Sequence, residues 1–341
     1  MSGTAGPSSG PQRGPQGAKK VAVLKGGRSL ERRVSLRSGA QAEDALQRLG
    51  HEAVAIDVGP EFVAQLLAEK PDAAFIALHG GDGEDGTVQE LLEAIGVPYT
   101  GSGPSACIRC ADKVLAKHLM RDAGIPTPDF HAFSEDAFKK LGAAAALGDI
   151  ERRIGFPMVV KPACQGSALG VKFARAAADL PSAALAAFSY DRKILLERYV
   201  RGRDLAVSVL DSNMESPPTP RGEPQALPVV EAIPRKEDFY DFEARYEIGL
   251  TTFVCPADLP EELSARAQSL ALEVYQLLDC HGFARIDLML DQDSGELSVL
   301  ETNVVPGLTE TSLLPLAADA AGVGFDELVE RILASAFSRE T

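Results

Sequence analysis

The stretch LSVLETNVVPG (residues 297–307) decides how this chain reads. It runs as an apolar strand and then delivers a carboxylate, Glu301, and an amide, Asn303. Upstream, FARIDLML (283–290) reads as a partner strand, and DQDSGE after it is turn text. Side chains alternate across a strand, so Arg285 shares a face with Asp287, and Glu301 shares one with Asn303. A turn over residues 292–296 sets Asp287 opposite Glu301 and Arg285 opposite Asn303. A one-residue slip would break that arrangement.

Two neighbouring carboxylates repel unless something positive lies between them. Oxygen donors, two anionic and one an amide, suit Mg²⁺, which keeps open positions for substrate phosphates. The other reading is a buried ion-pair network in which Arg285 neutralises the acids. The hairpin alone leaves both open.

Outward from the hairpin, KPACQGSALG puts Lys161 at the end of the apolar strand PMVV, followed by a loop of small residues. Such a loop can expose backbone N–H groups to phosphates, with Lys161 as a point charge. It lacks the G-K-[ST] of a Walker loop, and no G-x-G-x-x-G is present. In HGGDGEDGTVQELLEAIG, Thr87-x-x-Glu90 reads as a capping box, and the helix start it opens favours an anion. His79 there reads equally as a core histidine, and Glu84 as a solvated loop acid. In LLERYVRGRDLAVSVL, Glu197 and Asp204 are surface acids or acceptors for adenine and ribose.

Strands at KKVAVLKGG, HEAVAIDV and PDAAFIALHGG alternate with helical text, which predicts an N-terminal doubly wound parallel sheet. CIRCADKVLAKHL reads as one helix, so Cys107 and Cys110 are packing residues. Further strands are expected at PMVVKPA, ALGVKFA, KILLERYV, DLAVSVL and QALPVVEAIP, and helices over 263–278 and FDELVERILASAF. The expected division is a disordered tail (1–18), an N-terminal α/β substrate unit (19–102), a central unit (103–196) and a C-terminal unit (197–341).

The 341 residues carry a net charge of −15, which argues against nucleic acid or an anionic membrane as the main partner. Five cysteines imply no disulfide framework, and no apolar run approaches the ~20 residues of a membrane span. A cytoplasmic protein is expected.

Taken together, GGRSLERRVSL, HGGDGEDGTVQ, VPYTGS, DKVLAKHL, VVKPACQGSALG, FYDFEARY, GFARIDLML and LETNVVPGLTETSLLP resemble the D-alanine–D-alanine ligases of the ATP-grasp superfamily. The resemblance runs from about residue 20 to 337. It implies a parallel N-terminal sheet followed by a two-part ATP-grasp fold, α/β and α+β in class. It implies ATP-dependent joining of two D-alanines through a D-alanyl phosphate, for peptidoglycan precursors. ATP as substrate, two Mg²⁺ or Mn²⁺ ions and a homodimer come with it.

Carried over by position, Lys113 and Lys161 match the lysines on the ATP phosphates, and Glu197 the acid beside adenine. Asp204 stands where a ribose-binding Glu is usual. Asp287, Glu301 and Asn303 match the metal ligands, and Arg285 the arginine that steadies the oxyanion. Glu31 matches the acid that holds the first D-alanine's ammonium, with Ser167 and Tyr246 hydrogen-bonded to it. His79 matches the histidine near that substrate's carboxylate. Ser312, Leu313 and the backbone of Gly307 match the second D-alanine's pocket. FYDFEARY, with Tyr240, matches a mobile loop, and Arg245 in its ATP-binding set replaces a Lys. Gln165, Ala168 and Arg33 also depart from the usual pattern. Rival readings are a ligase using D-lactate or D-serine as second substrate, a non-catalytic ATP-binding relative, and a different ATP-grasp ligase.

Overall fold

The first strand, β1 (Lys20–Lys25), is buried on both faces, with Val21, Ala22, Val23 and Leu24 wholly shielded. A strand covered on two sides reads as a continuous apolar run, which is why alternation is missing there. It pairs in parallel with β2 (Glu52–Asp57) and β3 (Ala73–Ile76), in the order β2-β1-β3. The strand order reverses at β1, so a crevice opens beyond the carboxyl ends of β1 and β3. The segments leaving those two ends carry Glu31 and His79. This computed structural model describes residues 17–211, 223–234 and 251–339.

Among the described residues the other strands are antiparallel and form two further sheets. One has the order β4-β7-β5-β6, from β4 (Phe130–Ser134), β5 (Met158–Pro162), β6 (Lys172–Ala174) and β7 (Lys193–Arg198). The last has the order β11-β10-β8-β12-β13, with β9 also on β8. Its members are β8 (Gly202–Asp211), β9 (Pro224–Ala226), β10 (Val230–Pro234), β11 (Thr251–Val254), β12 (Phe283–Asp291) and β13 (Leu297–Asn303). The middle sheet has its own core around Met158, Val160, Ile194 and Leu196. The first and last sheets share one, which joins Leu24 and Ile76 to Val207, Ile286 and Val299.

Several local expectations are corrected. CIRCADKVLAKHL is two helices, Pro104–Ala111 and Lys113–Asp122, broken at Asp112. Asp112 is extended, and its carboxylate accepts the N–H groups of Val114 and Leu115. Aspartate is a far better N-cap than helix interior, so it starts a new helix at Lys113. Thr87-x-x-Glu90 is not a capping box. Gly86, at φ 98°, precedes the helix Thr87–Ile95, and Asp85 takes the Thr87 N–H at 2.9 Å. QALPVVEAIP divides into β9 and β10, with Pro228, which has no N–H to give a ladder, in the gap. ALGVKFA is strand only over Lys172–Ala174. Before it, Ser167 and Ala168 take positive φ of 52° and 57°, so the small-residue loop is tightly turned.

Candidate active site

The hairpin pairs as its alternation and turn predict: Asp287 faces Glu301, and Arg285 faces Asn303. The register set at the turn does not deliver this by itself. Near the turn Leu290 pairs with Leu297 and Leu288 with Val299, which would bring Leu300 opposite Asp287. A bulge between Asp287 and Leu288 absorbs Leu300 and restores Glu301 to the face of Asp287. Arg285 then forks both carboxylate oxygens of Asp287, with Nε at 2.7 Å and Nη2 at 2.9 Å. The Asn303 amide donates to Asp287 Oδ2 at 3.2 Å, and Glu301 pairs with Lys113 Nζ at 3.2 Å.

On one side of the hairpin lies an open cleft of about 850 Å³ between the middle and last sheets. Lys113, Lys161, Glu197, Asp204, Gln165 and Glu301 are among its lining residues. Both oxygens of the buried Glu197 meet lysines: Lys161 Nζ at 2.6 Å on one, and Lys117 on the other. Lys117 was missed from the sequence. It stands one helical turn after Lys113, so the i, i+4 spacing was the available signal. It is wholly buried, also donates to Thr127 Oγ1 at 2.5 Å, and burial lowers its pKa to about 8. Burial works against ionised Glu197 as well, but the two lysines win, and its pKa is lowered. Burial likewise opposes the charge on Lys113, and Glu301 more than offsets it. The Lys113 ammonium also donates to the Gln165 carbonyl at 2.7 Å, which ties the small-residue loop to the cleft floor.

On the other side is a smaller pocket of about 550 Å³. Glu31, His79, Ser167, Arg285, Asn303, Gly307, Ser312 and Leu313, from five separated stretches of sequence, all line it. The Ser167 hydroxyl donates to Glu31 Oε1. Backbone crowds this carboxylate: a Cβ at Gly166 would lie 3.0 Å from Glu31 Oε2. Glu84 is no solvated loop acid. It lines the same pocket, and burial, then the nearby Glu31 charge, pushes its pKa up to about 8. His79 hydrogen-bonds through both ring nitrogens, to Val305 O at 3.0 Å and Ser38 Oγ at 2.8 Å. Ser312 precedes the helix Leu313–Ala320, and it and Leu313 line the pocket, so a helix start, which favours an anion, adjoins it. Tyr240, Arg245 and Tyr246 lie outside the described residues. Among the described residues no group of three or more His, Cys, Asp or Glu is placed to hold a metal. The hairpin set is two carboxylates and an amide.

The family model for the D-ala D-ala ligase C-terminus matches residues 119–334, and that for the N-terminus matches 60–102. A D-alanine–D-alanine ligase of Geotalea uraniireducens is 40% identical over 318 residues, covering 93% of this chain and 96% of that protein. Among solved structures, the D-alanine–D-alanine ligase of Bacillus anthracis matches with a TM-score of 0.79 at 33% identity, over 94% of this chain and 98% of that one. The Bacillus anthracis ligase complexed with ATP matches over the same shares, with a TM-score of 0.77 at 31% identity. With its parallel N-terminal sheet, its two antiparallel sheets in the ATP-grasp arrangement and these matches over most of its length, the chain belongs to the D-alanine–D-alanine ligase family.

Proposed function

We propose that the chain joins two D-alanines into D-alanyl-D-alanine at the expense of ATP, for peptidoglycan precursors. The observation that carries this is the position of the hairpin Arg285–Asp287–Glu301–Asn303 between a lysine-floored cleft and a pocket built around Glu31.

A carboxylate is a poor electrophile and must be activated. In the proposed reaction the first D-alanine sits with its ammonium on Glu31 and its carboxylate towards the hairpin. That carboxylate attacks the γ-phosphate of ATP, giving D-alanyl phosphate and ADP. Lys113 and Lys161 stabilise the charge on the phosphoryl oxygens as it moves. The neutral amine of the second D-alanine, its carboxylate at Ser312 and Leu313, then attacks the acyl carbon. Arg285 and the Gly307 N–H stabilise the tetrahedral oxyanion, phosphate leaves, and the peptide bond remains. Glu197 and Asp204 line the cleft where adenine and ribose are expected.

Asp287, Glu301 and Asn303 supply hard oxygen donors on one hairpin face, a donor set that fits Mg²⁺ or Mn²⁺. Such ions, held by Asp287, Glu301 and Asn303, would supply positive charge to offset the negative charge of the ATP phosphates. Tyr240, Arg245 and Tyr246 are assigned to the closing loop from their sequence match.

We also propose a homodimer in the cytoplasm, built from three units that each centre on one sheet. The boundary expected after residue 196 falls within β7, two residues before its end at Arg198. Leu91 and Ile108, exposed apolar side chains on successive helices, are available to be covered by a second copy. Among the described residues no helix is long and apolar enough to cross a membrane.

The test is phosphate release from ATP with D-alanine, D-lactate and D-serine in turn, with the products identified by mass. D-alanine-dependent release with dipeptide formed is expected. ATP binding without release would instead support a non-catalytic relative, and an ester product would support the D-lactate reading.

A further inference from the structure

We infer that Ser38 is a positioning residue for the second amino acid, because with His79 it ties the turn at residues 305–308 to the helix Arg32–Arg48, which begins beside Glu31. The inference rests on the ligase reading above.

Glu31, Ser35 and Ser38 recur at i, i+4 and i+7, and so share a helical face. Ser35 and Ser38 are both wholly buried, where a hydroxyl must find partners. Ser35 finds them inside the N-terminal sheet: it accepts the Gly26 N–H at 2.9 Å and donates to Ala77 O at 2.7 Å. Ser38 reaches out of that unit. It accepts the Leu308 N–H at 3.1 Å, and its hydroxyl lies 2.8 Å from His79 Nε2.

The hydrogen positions follow from donor chemistry. The Val305 carbonyl can only accept, so His79 Nδ1, 3.0 Å away, carries the ring proton. Nε2 is then an acceptor and takes the Ser38 hydroxyl proton. Leu308 N–H to Ser38, Ser38 O–H to His79 and His79 N–H to Val305 O form one chain of bonds. It leaves the turn at Leu308 and returns to it at Val305, enclosing Pro306 and Gly307. It requires a neutral ring, and burial holds the His79 pKa down to about 4.

This relay also redefines His79. Both nitrogens are used within the protein, so the ring acts as a strut behind the pocket. Arg37 and Gln41 add an outer tie to Glu310, at 2.9 and 2.6 Å, but these groups are exposed and such pairs contribute little. The buried relay therefore sets the turn. One helix face thus serves both amino acids: Glu31 at its start for the first, and Ser38 two turns on for the second.

The experiment compares Ser38→Ala with Ser35→Ala, a matched loss of a buried hydroxyl that does not touch the turn. Ser38→Ala is expected to raise the KM of the second D-alanine about tenfold, with the first within about twofold. The Leu308 amide should lose about tenfold of its hydrogen-exchange protection as well. Ser35→Ala should lower stability to a similar extent while leaving the ratio of the two KM values and the Leu308 amide unchanged. The inference is overturned if Ser38→Ala moves both KM values together, moves neither, or leaves Leu308 protected. A wild-type protein with no D-alanine-dependent phosphate release would fail the ligase reading itself. Normal wild-type turnover beside an unaltered Ser38→Ala enzyme would fail this inference alone.

Discussion

Glu301 stands opposite Asp287 because Leu300 is bulged out of the ladder between them and the turn. Val299 and Glu301, two residues apart, would share a face in a regular strand. Here Val299 is buried in the core shared by the first and last sheets, while Glu301 and the displaced Leu300 line the large cleft. The bulge is thus a phase change that lets one strand serve a dry core and a charged site.

On the proposed mechanism, in which Arg285 is an oxyanion donor, Arg285→Ala is expected to lower kcat by about 10²–10³-fold. Arg285→Lys should be impaired too, since one ammonium cannot fork both Asp287 oxygens. Steady-state phosphate release is the assay, and near-normal turnover in Arg285→Ala would remove it from the mechanism.

Asp287→Asn is expected to raise the Mg²⁺ concentration needed for half-maximal rate at least tenfold. Chelation of divalent cations should silence the wild-type enzyme. Cation titrations of the two proteins decide it: identical curves would mean that Asp287 serves only as the partner of Arg285.

Glu197→Gln and Lys117→Met should differ sharply in stability. The first leaves two buried lysines facing each other, at a cost of about 3–5 kcal/mol. The second leaves Glu197 still paired with Lys161 at 2.6 Å and should cost less. Denaturant unfolding gives both values. The reverse order would contradict the reading of Glu197 as the shared counter-charge.

Glu84 gives a pH signature. Burial, and then the charge of Glu31, raises its pKa to about 8 from 4.5. Between those values the unfolded chain has released the proton and the folded chain keeps it. The stability associated with this group is therefore complete below pH 4.5 and is lost as pH rises towards 8. Glu84→Gln should flatten that slope, measured as unfolding midpoints near the two ends of the window. An unchanged slope would mean that Glu84 ionises normally in the fold.

The sequence carried the parallel sheet through strands alternating with helices, the hairpin pairing through side-chain alternation, and the residues that the cleft and the pocket bring together through an ordered set of motifs. It did not carry the bulge. Counting from a turn at 292–296 gives the right partners for Asp287 and Arg285 but the wrong ones nearer the turn. Lys117 and Ser38 escaped for a different reason. Each is an ordinary polar residue on a helix, and only burial against another sheet or turn gives it a role. Asp112 hid within helical text because a capping side chain and a helical one share the same letter.

The break at Asp112 has a consequence for nucleotide binding. The helix it starts presents Lys113 to Glu301 on the last sheet and Lys117 to Glu197 on the middle sheet. With Lys161 also on Glu197, an incoming triphosphate meets in Lys113 and Lys161 ammonium groups that already have anionic companions. On the proposed chemistry, ATP takes its place by swapping counterions, and its affinity should respond to ionic strength less steeply than a site of bare lysines would.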